Sequence, residues 1–209
     1  MVQLEVYGDP HSMCTQKILI LLEELNLKYN LKSVDLSKGE HKSDEFLELN
    51  PFGKVPAVKY GSRDLFESRS ILRYIAKNNV EIDDLLGDIE VDMWLESESQ
   101  NYNPLVSKII YEKVFKKVYN KDEKPDEELV DKLLKDLEKV LDIYEDRLEN
   151  VGYIGGETFS IADISHIPYT NYMLRVGYKD MYKSRPNVYK WLKRIMKRDS
   201  VKYILSNNH

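Results

Sequence analysis

The segment from Asn50 to Asn78, NPFGKVPAVKYGSRDLFESRSILRYIAKN, determines the fold that the sequence predicts. Two runs of β-forming residues, VPAVKY and DLF, are separated by the turn residues GSR, a pattern typical of a β-hairpin. The run ESRSILRYIAKN that follows has its apolar residues at helical spacing. The segment therefore predicts a ββα unit with a proline at its first strand and a Glu-Ser pair at the start of its helix.

The residues before this segment predict a βαβ unit. Residues 2–7, VQLEVY, alternate in polarity like a strand, and YNLKSVDL further along is a second strand. Between them, CTQKILILLEELN carries apolar residues at helical spacing from Ile18 to Leu25. The short run HKSDEFLELN is helical and ends at Asn50-Pro51. A βαβ start implies a parallel strand pair with a right-handed crossover, to which the hairpin adds an antiparallel edge.

The second half of the chain predicts helices and no strand. Residues 1–79 are expected to form an α/β domain, residues 80–88 an acidic linker, and residues 89–209 an all-α domain. Within the helical region, FSIADI has the form of a capping box, with Ser160 as the helix cap and Asp163 returning a bond to its backbone. We interpret this motif as a folding signal and not as part of a site.

The composition excludes several classes of protein. The chain has 209 residues, of which 42% are apolar and 32% charged, as in an ordinary globular protein. Its net charge of −5 disfavours nucleic acid and membrane surfaces, which select a basic face. The longest apolar stretches are too short to span a bilayer, and the N-terminus lacks the pattern of a secretory signal. The single cysteine, Cys14, excludes an internal disulfide and favours a reducing compartment, so we expect a cytoplasmic location.

Two residue pairs in the ββα segment suggest a ligand that is a small peptide. A cis bond before Pro56 would leave the backbone of Val55 open to pair with an extended ligand, whereas the alternative is an ordinary edge-strand proline. Glu67 and Ser68 lie where a strand ends and a helix begins. Helix N-terminal N–H groups attract a carboxylate and a glutamate attracts an ammonium, so the pair suits an α-amino acid, although a plain helix cap is the alternative.

Four further residues supply cations, a hydroxyl and a thiol. His41 and Lys42 could hold a second carboxylate, or they form a solvated charge cluster. Ser12 lies before the first helix, where a hydroxyl can donate to an anion. Cys14 is a candidate nucleophile, since thiols near a helix N-terminus are acidified, but a lone cysteine there is more often a small packing residue. The sequence has no zinc-type Cys/His spacing, phosphate loop or catalytic triad, and we predict no metal.

Several long blocks together resemble the cytosolic glutathione transferases, and most closely their phi class, known from plants. The blocks GEHKSDEFLELNPFGKVPAV and LFESRSILRYIA are similar to the glutathione-site signature of that class. VDMWLESESQNYNPLVSKIIYEKVFKKVY, FSIADISHIP and RPNVYKWLKRI are similar to its C-terminal helices. The resemblance implies a thioredoxin-like N-terminal domain, an all-α C-terminal domain and a homodimer.

The resemblance also implies roles for individual residues, with glutathione as the co-substrate. Ser12 occupies the position of the catalytic serine, which donates a hydrogen bond to the glutathione thiolate and lowers the pKa of the thiol. The positions that the resemblance assigns to glutathione binding are His41, Lys42, Lys54, Val55, Pro56, Glu67 and Ser68. Lys54 departs from the Gln that is often found in the class, and its ammonium is a more flexible donor.

The electrophile pocket is expected between the two domains, although an ordinary domain interface is the alternative. Its candidate wall residues are His11, Met13, Tyr111, Phe115 and Tyr119. Phe52 is the candidate anchor of the homodimer, since a large ring in an exposed turn often enters a pocket on a partner.

The leading hypothesis is a glutathione S-transferase that conjugates glutathione to small hydrophobic electrophiles, with glutathione peroxidase activity as a possible second reaction. A thiol transferase that uses Cys14 is an alternative enzyme. A carrier of apolar ligands without turnover is the alternative binding protein. No nucleic acid or membrane partner is expected.

Overall fold

A computed structural model of the chain describes residues 4–79, 89–119 and 123–206, with Tyr119 described in its backbone only. The chain divides into two compact units, Met1–Leu86 with Arg198–His209, and Gly87–Lys197. The predicted linker, residues 80–88, lies outside the described residues.

The first unit is built on a four-stranded mixed sheet. Its strands are β1 (Leu4–Gly8), β2 (Asn30–Ser33), β3 (Ala57–Tyr60) and β4 (Arg63–Phe66). Their order in the sheet is β2-β1-β3-β4. The β1–β2 pair is parallel, and the β1–β3 and β3–β4 pairs are antiparallel. The predicted βαβ-ββα topology is therefore confirmed, and the fold is that of a thioredoxin-like domain followed by a helical region.

The helices of the first unit follow the predicted order. They are α1 (Met13–Glu24), α2 (Asp44–Leu49) and α3 (Ser68–Lys77), and a short 3-10 turn at Glu40–Lys42 precedes α2. The helices α1 and α3 contact each other, and a buried set along them forms much of the core of the first unit: Ile18, Ile20, Leu21, Leu22, Ile71, Leu72 and Ile75. The apolar positions used to predict these helices thus include much of the core.

The structure begins two strands at different residues from the prediction. The strand predicted to begin at Val55 begins at Ala57, because Pro56 has no N–H to donate to a neighbouring strand. The hairpin turn is shorter than predicted, since Arg63 already belongs to β4. β2 covers only the first half of the run that was predicted as a strand.

The C-terminal helix, which the sequence assigns to the helical region, is grouped with the first unit. This helix, Asp199–Ser206, lies against α1 and buries Val201 and Ile204. Arg198 donates through Nε and Nη2 to the carboxylate of Glu24, at 2.8 and 2.5 Å. Such a two-point pair fixes direction as well as charge, so it holds the start of this helix to the end of α1.

The second unit is helical. Its helices are α4 (Ile89–Ser97), α5 (Asn103–Ile110), α6 (Lys116–Tyr119), α7 (Glu127–Asn150), α8 (Ile161–Arg175), α9 (Lys179–Lys183) and α10 (Pro186–Ile195); the helix Asp199–Ser206 of the first unit is α11. π-helical turns at Glu98–Tyr102 and Tyr111–Phe115 join α4, α5 and α6 into one long helix, which runs through Pro104 as predicted. Among the described residues of this unit the only β contact is an isolated bridge between Tyr153 and Gly156. None of the described helices is both long and apolar enough to cross a membrane.

The predicted capping box at the start of α8 is present, and its Asp163 also accepts hydrogen bonds from two residues outside the motif. Asp163 accepts hydrogen bonds from the backbone N–H and the hydroxyl of Ser160, at 2.9 and 3.1 Å. Its other oxygen accepts from the Ile154 N–H at 3.0 Å and from the Trp191 indole N–H at 2.7 Å. Burial raises the pKa of the Asp163 carboxyl, and these hydrogen bonds oppose the shift. The box therefore ties α8 to α10 and to the preceding loop.

Candidate active site

The pairing of the strands brings three chain segments to one edge of the sheet in the first unit. Tyr7, near the end of β1, pairs with Ala57 at the start of β3. Ala57 pairs in turn with Phe66, the last residue of β4. The end of β1, the start of β3 and the end of β4 are therefore adjacent, and we call this edge the site edge.

Three predicted site residues lie just outside the strand ends that form the site edge. Ser12 follows β1, Val55 precedes β3, and Glu67 follows β4 directly. None of these residues is inside a strand or a helix, so the backbone groups around them are not all used by regular secondary structure.

Ser12 caps the N-terminus of α1. Its hydroxyl oxygen accepts from the Thr15 N–H at 3.5 Å, which is the outer limit of a hydrogen bond. Among the described residues the Ser12 hydroxyl proton has no acceptor. A half-buried hydroxyl at the positive end of a helix, with its own proton still to donate, is suited to contact an anion.

The Val55–Pro56 peptide bond is cis. The backbone N–H and C=O of Val55 have no hydrogen-bond partner among the described residues. Val55 is half buried and packs against a small apolar cluster that includes Phe46. Its backbone is thus anchored by its side chain while its polar groups are available to an extended peptide. Lys54, immediately before it, is exposed.

Glu67 and Ser68 form the junction between β4 and α3. Glu67 has φ 65° and ψ 109°, a conformation that costs a non-glycine residue about 1–3 kcal/mol. Its side chain makes no capping bond to α3, whereas Ser68 is buried, at 6% exposed. Glu67 is exposed and directly precedes the first N–H groups of α3, so this junction offers a carboxylate for an ammonium and backbone donors for a carboxylate. No sequence signal indicates this positive φ.

His41 and Lys42 lie in the 3-10 turn before α2. The His41 Nδ1 atom is buried and has no partner among the described residues, so an incoming acceptor or donor could satisfy it. The Lys42 ammonium donates to the carbonyls of Phe52 and Gly53, at 3.2 and 2.8 Å. The sequence reasoning did not foresee these two bonds. They bring the turn directly against the loop that leads to Val55.

A residue that sequence reasoning missed, Asn50, occupies the start of the same loop. It is buried, at 2% exposed, and its amide donates to the Lys54 carbonyl at 2.6 Å. The signal that could have identified it is the order Asn-Pro-x-Gly, since an asparagine that opens a turn often bonds to the backbone with its own side chain.

The residues predicted to line the electrophile pocket belong to both units. In the first unit, His11 is exposed and Met13 is half buried at the start of α1, one residue before the half-buried Cys14. In the second unit, Tyr111 is 42% exposed and the Phe115 ring lies 6.0 Å from that of Tyr172. The side chain of Tyr119 lies outside the described residues.

The predicted dimer anchor, Phe52, is 62% exposed in the loop after α2. Its ring centroid lies 6.1 Å from that of Phe66, which is 37% exposed. The two rings form an exposed aromatic pair beside the site edge. Within the described ranges, no group of three or more His, Cys, Asp or Glu side chains is arranged to hold a metal ion.

Comparison with known proteins identifies the same family in both halves of the chain. The family model for the glutathione S-transferase N-terminal domain matches residues 2–77, and that for the C-terminal domain matches residues 108–199. A rice protein (Oryza sativa subsp. japonica) described as the probable glutathione S-transferase GSTF1 is 38% identical over 209 residues, which cover 97% of this chain and 95% of the rice protein. Glutathione S-transferase F13 of Arabidopsis thaliana is 35% identical over 195 residues, which cover 90% of this chain and 88% of the relative.

Solved structures of glutathione transferases are similar to this chain over nearly its whole length. Glutathione transferase F7 from Populus trichocarpa superposes with a TM-score of 0.91 at 35% identity and covers 99% of each chain. Maize glutathione S-transferase I, solved in complex with an atrazine glutathione conjugate, superposes with a TM-score of 0.90 at 32% identity, over 99% of this chain and 98% of the maize chain. This chain therefore belongs to the glutathione S-transferase family, in the phi class of plant enzymes.

Proposed function

We propose that the site edge binds glutathione and that Ser12 stabilises its thiolate for attack on a small apolar electrophile. The observation that carries the proposal is the strand register, which brings the segments bearing Ser12, Val55 and Glu67 to one edge of the sheet. Family membership supports the conjugation reaction itself.

The chemistry of the tripeptide fits the groups at this edge one by one. The ammonium of the γ-glutamyl residue is assigned to the Glu67 carboxylate, and its carboxylate to Ser68 and the first N–H groups of α3. The backbone of the cysteinyl residue pairs with that of Val55, as in strand addition. The glycyl carboxylate is assigned to His41 and Lys42.

Ser12 then acts on the charge of the sulfur. A free thiol has a pKa of about 8.5, so only a few per cent of it is thiolate at neutral pH. The Ser12 hydroxyl donates to the sulfur and favours the charged form, and the helix dipole of α1 has the same sign of effect. The thiolate attacks an electrophilic carbon and forms a thioether as the leaving group departs. We also propose that the thiolate attacks a peroxide, whose O–O bond breaks to leave an alcohol and the sulfenic acid of glutathione. The thiol of a second glutathione then attacks the sulfenic sulfur, water leaves, and the glutathione disulfide is released.

The remaining assignments concern the second substrate and the assembly. We assign His11, Met13, Tyr111, Phe115 and Tyr119 to contacts with the apolar electrophile. We propose a homodimer in which the exposed Phe52 ring enters a pocket of the partner, because an exposed aromatic pair is a typical anchor. The lone Cys14 supports a reducing, cytoplasmic location.

A glutathione-dependent activity panel on the wild type, Ser12→Ala and Cys14→Ala tests the function. The panel includes chlorinated nitroarenes, an organic peroxide and a mixed disulfide. Loss of conjugation in Ser12→Ala alone supports the proposal. Loss of disulfide reduction in Cys14→Ala, with conjugation absent throughout, supports the thiol transferase. Binding of apolar ligands without turnover on any substrate supports the carrier.

A further inference from the structure

We propose that Lys42 and Asn50 are positioning residues that act as one clamp on the loop leading to Val55, so that Lys42 serves glutathione binding through the loop as well as through the glycyl carboxylate. This inference rests on the proposed glutathione site. It is carried by the hydrogen bonds of the loop itself.

The clamp holds three consecutive carbonyl groups. The Lys42 ammonium donates to the carbonyls of Phe52 and Gly53, and the Asn50 amide donates to that of Lys54. These three residues immediately precede Val55. The direction of the chain as it enters Val55 is therefore set by two side chains, those of Lys42 and Asn50.

Asn50 also holds the first half of the loop. Its side-chain oxygen accepts from the Phe52 N–H at 3.1 Å, and its backbone carbonyl accepts from the Gly53 N–H at 2.8 Å. One buried asparagine thus contacts the loop at its beginning, middle and end. Loss of its amide would leave the Lys54 carbonyl without its bond and release the last residue before Val55.

The contact at Gly53 shows how closely the 3-10 turn and the loop are packed. Gly53 has φ +55°, and a Cβ atom built there would lie 2.7 Å from the His41 carbonyl and 2.8 Å from the Lys42 ammonium nitrogen. The absence of a side chain at this position allows the ammonium to reach both carbonyls. The close packing at Gly53 therefore fixes the position of the Lys42 ammonium against the loop.

The two roles of Lys42 are compatible. An ammonium group has three N–H donors, and the loop carbonyls accept two of them. The third remains for the glycyl carboxylate. Binding to the glycyl carboxylate depends on the charge of the ligand, whereas holding the loop does not. A ligand without that charge therefore distinguishes the two roles of Lys42.

The deciding experiment measures the affinity of Lys42→Met for glutathione and for its glycyl ethyl ester, in which the carboxylate is neutralised. Lys38→Met is the matched control, because Lys38 is an exposed lysine in the same segment whose ammonium pairs with the Asp35 carboxylate, at 3.0 Å. We expect Lys42→Met to bind the ester at least five-fold more weakly than the wild type, and glutathione more weakly still, while Lys38→Met changes ester binding less than two-fold.

A double-mutant cycle tests whether the two residues act as one unit. Asn50→Ala is compared with Asn79→Ala, a control that removes an amide donating to a backbone carbonyl at 2.7 Å at the far end of α3. We expect the combined loss of ester affinity in Lys42→Met/Asn50→Ala to be smaller than the product of the two single losses. Lys42 is exposed, so its variant folds even if Asn50→Ala does not, and the ester measurement alone then decides.

Two results would overturn the inference. One is that Lys42→Met binds the ester as tightly as the wild type and loses affinity only for glutathione, which limits the lysine to the carboxylate. The other is that the loss of ester affinity in Lys42→Met/Asn50→Ala equals the product of the losses in the two single variants. A wild-type protein that binds neither ligand would instead overturn the proposed glutathione site, and the clamp with it.

Discussion

Replacement of Ser12 by alanine separates the folding role of this residue from its proposed role on the sulfur. As a cap, the Ser12 hydroxyl accepts a long bond from the Thr15 N–H, at 3.5 Å. The loss of a helix cap costs about 0.5–2 kcal/mol, and a bond of this length belongs at the low end of that range. At about 2–4 °C per kcal/mol for a chain of this size, the melting temperature of Ser12→Ala should fall by about 1–2 °C.

The effect on the bound thiol should be much larger. A hydrogen bond to a charged acceptor contributes about 1.5–3 kcal/mol, and one pKa unit corresponds to about 1.4 kcal/mol. The pKa of glutathione bound to Ser12→Ala should therefore rise by about 1–2 units. At a pH below both pKa values, the rate of conjugation should fall by about 10–100-fold in proportion to the thiolate fraction.

The assay is the pH dependence of kcat/KM with chlorodinitrobenzene, together with the ultraviolet absorbance of the bound thiolate. Ser43→Ala is the control for loss of a serine cap, since Ser43 accepts from the Phe46 N–H at the start of α2, at 3.3 Å. It should leave the pKa of the bound thiol unchanged. The wild-type and Ser12→Ala rates should converge at high pH. A deficit of constant size at every pH, with an unshifted thiolate titration, would show that the serine does not act on the charge of the sulfur.

Three further predictions concern other parts of the chain. Gly53→Ala should raise the KM for glutathione at least ten-fold with a smaller change in kcat, because a Cβ there would lie 2.7 Å from the His41 carbonyl; an unchanged KM in steady-state kinetics would contradict the packing of the loop. The bond from the Asp126 N–H lowers the pKa of the Glu112 carboxyl below its ordinary value of 4.5. The stability that the ionised carboxylate contributes is therefore fully present above pH 4.5 and is lost as the pH falls through the lowered pKa. In denaturant titrations the stability difference between the wild type and Glu112→Gln should therefore shrink below about pH 4.5 and not above it. Phe52→Ser should shift the molecule from dimer to monomer in analytical ultracentrifugation, and a wild type that is already monomeric would refute the anchor.

The sequence predicts the fold well because the local signals agree with one another. The helical spacing in α1 and α3 gives much of the buried core of the first unit. The capping box at Ser160 follows from the spacing of two residues, and its reciprocal bonds are present. These features depend on residues that are close in sequence, so local sequence patterns are enough to predict them.

The features that the sequence did not predict depend on residues distant in sequence or on backbone angles. The pairing of Arg198 with Glu24 joins opposite ends of the chain, and no local pattern indicates it. The positive φ of Glu67 is set by the junction of β4 with α3 and has no compositional signal. The bonds from Lys42 to the loop link two turns, and no local pattern in the sequence indicates that they are in contact. The resemblance assigns Lys42 to a carboxylate and carries no information about a second partner.

The placement of the proposed glutathione groups explains why some positions at the site edge should tolerate substitution and others should not. Lys54 presents an exposed side chain, while the loop depends only on its backbone carbonyl, which any residue supplies. Gly53 and Asn50, in contrast, are buried and are defined by backbone angle and by side-chain bonds to the main chain. A lysine at position 54 is therefore compatible with the proposed site, because the bond from Asn50 to the backbone carbonyl of this residue does not depend on its side chain. Side chains that fix this backbone should therefore matter for docking alongside those proposed to contact the tripeptide directly.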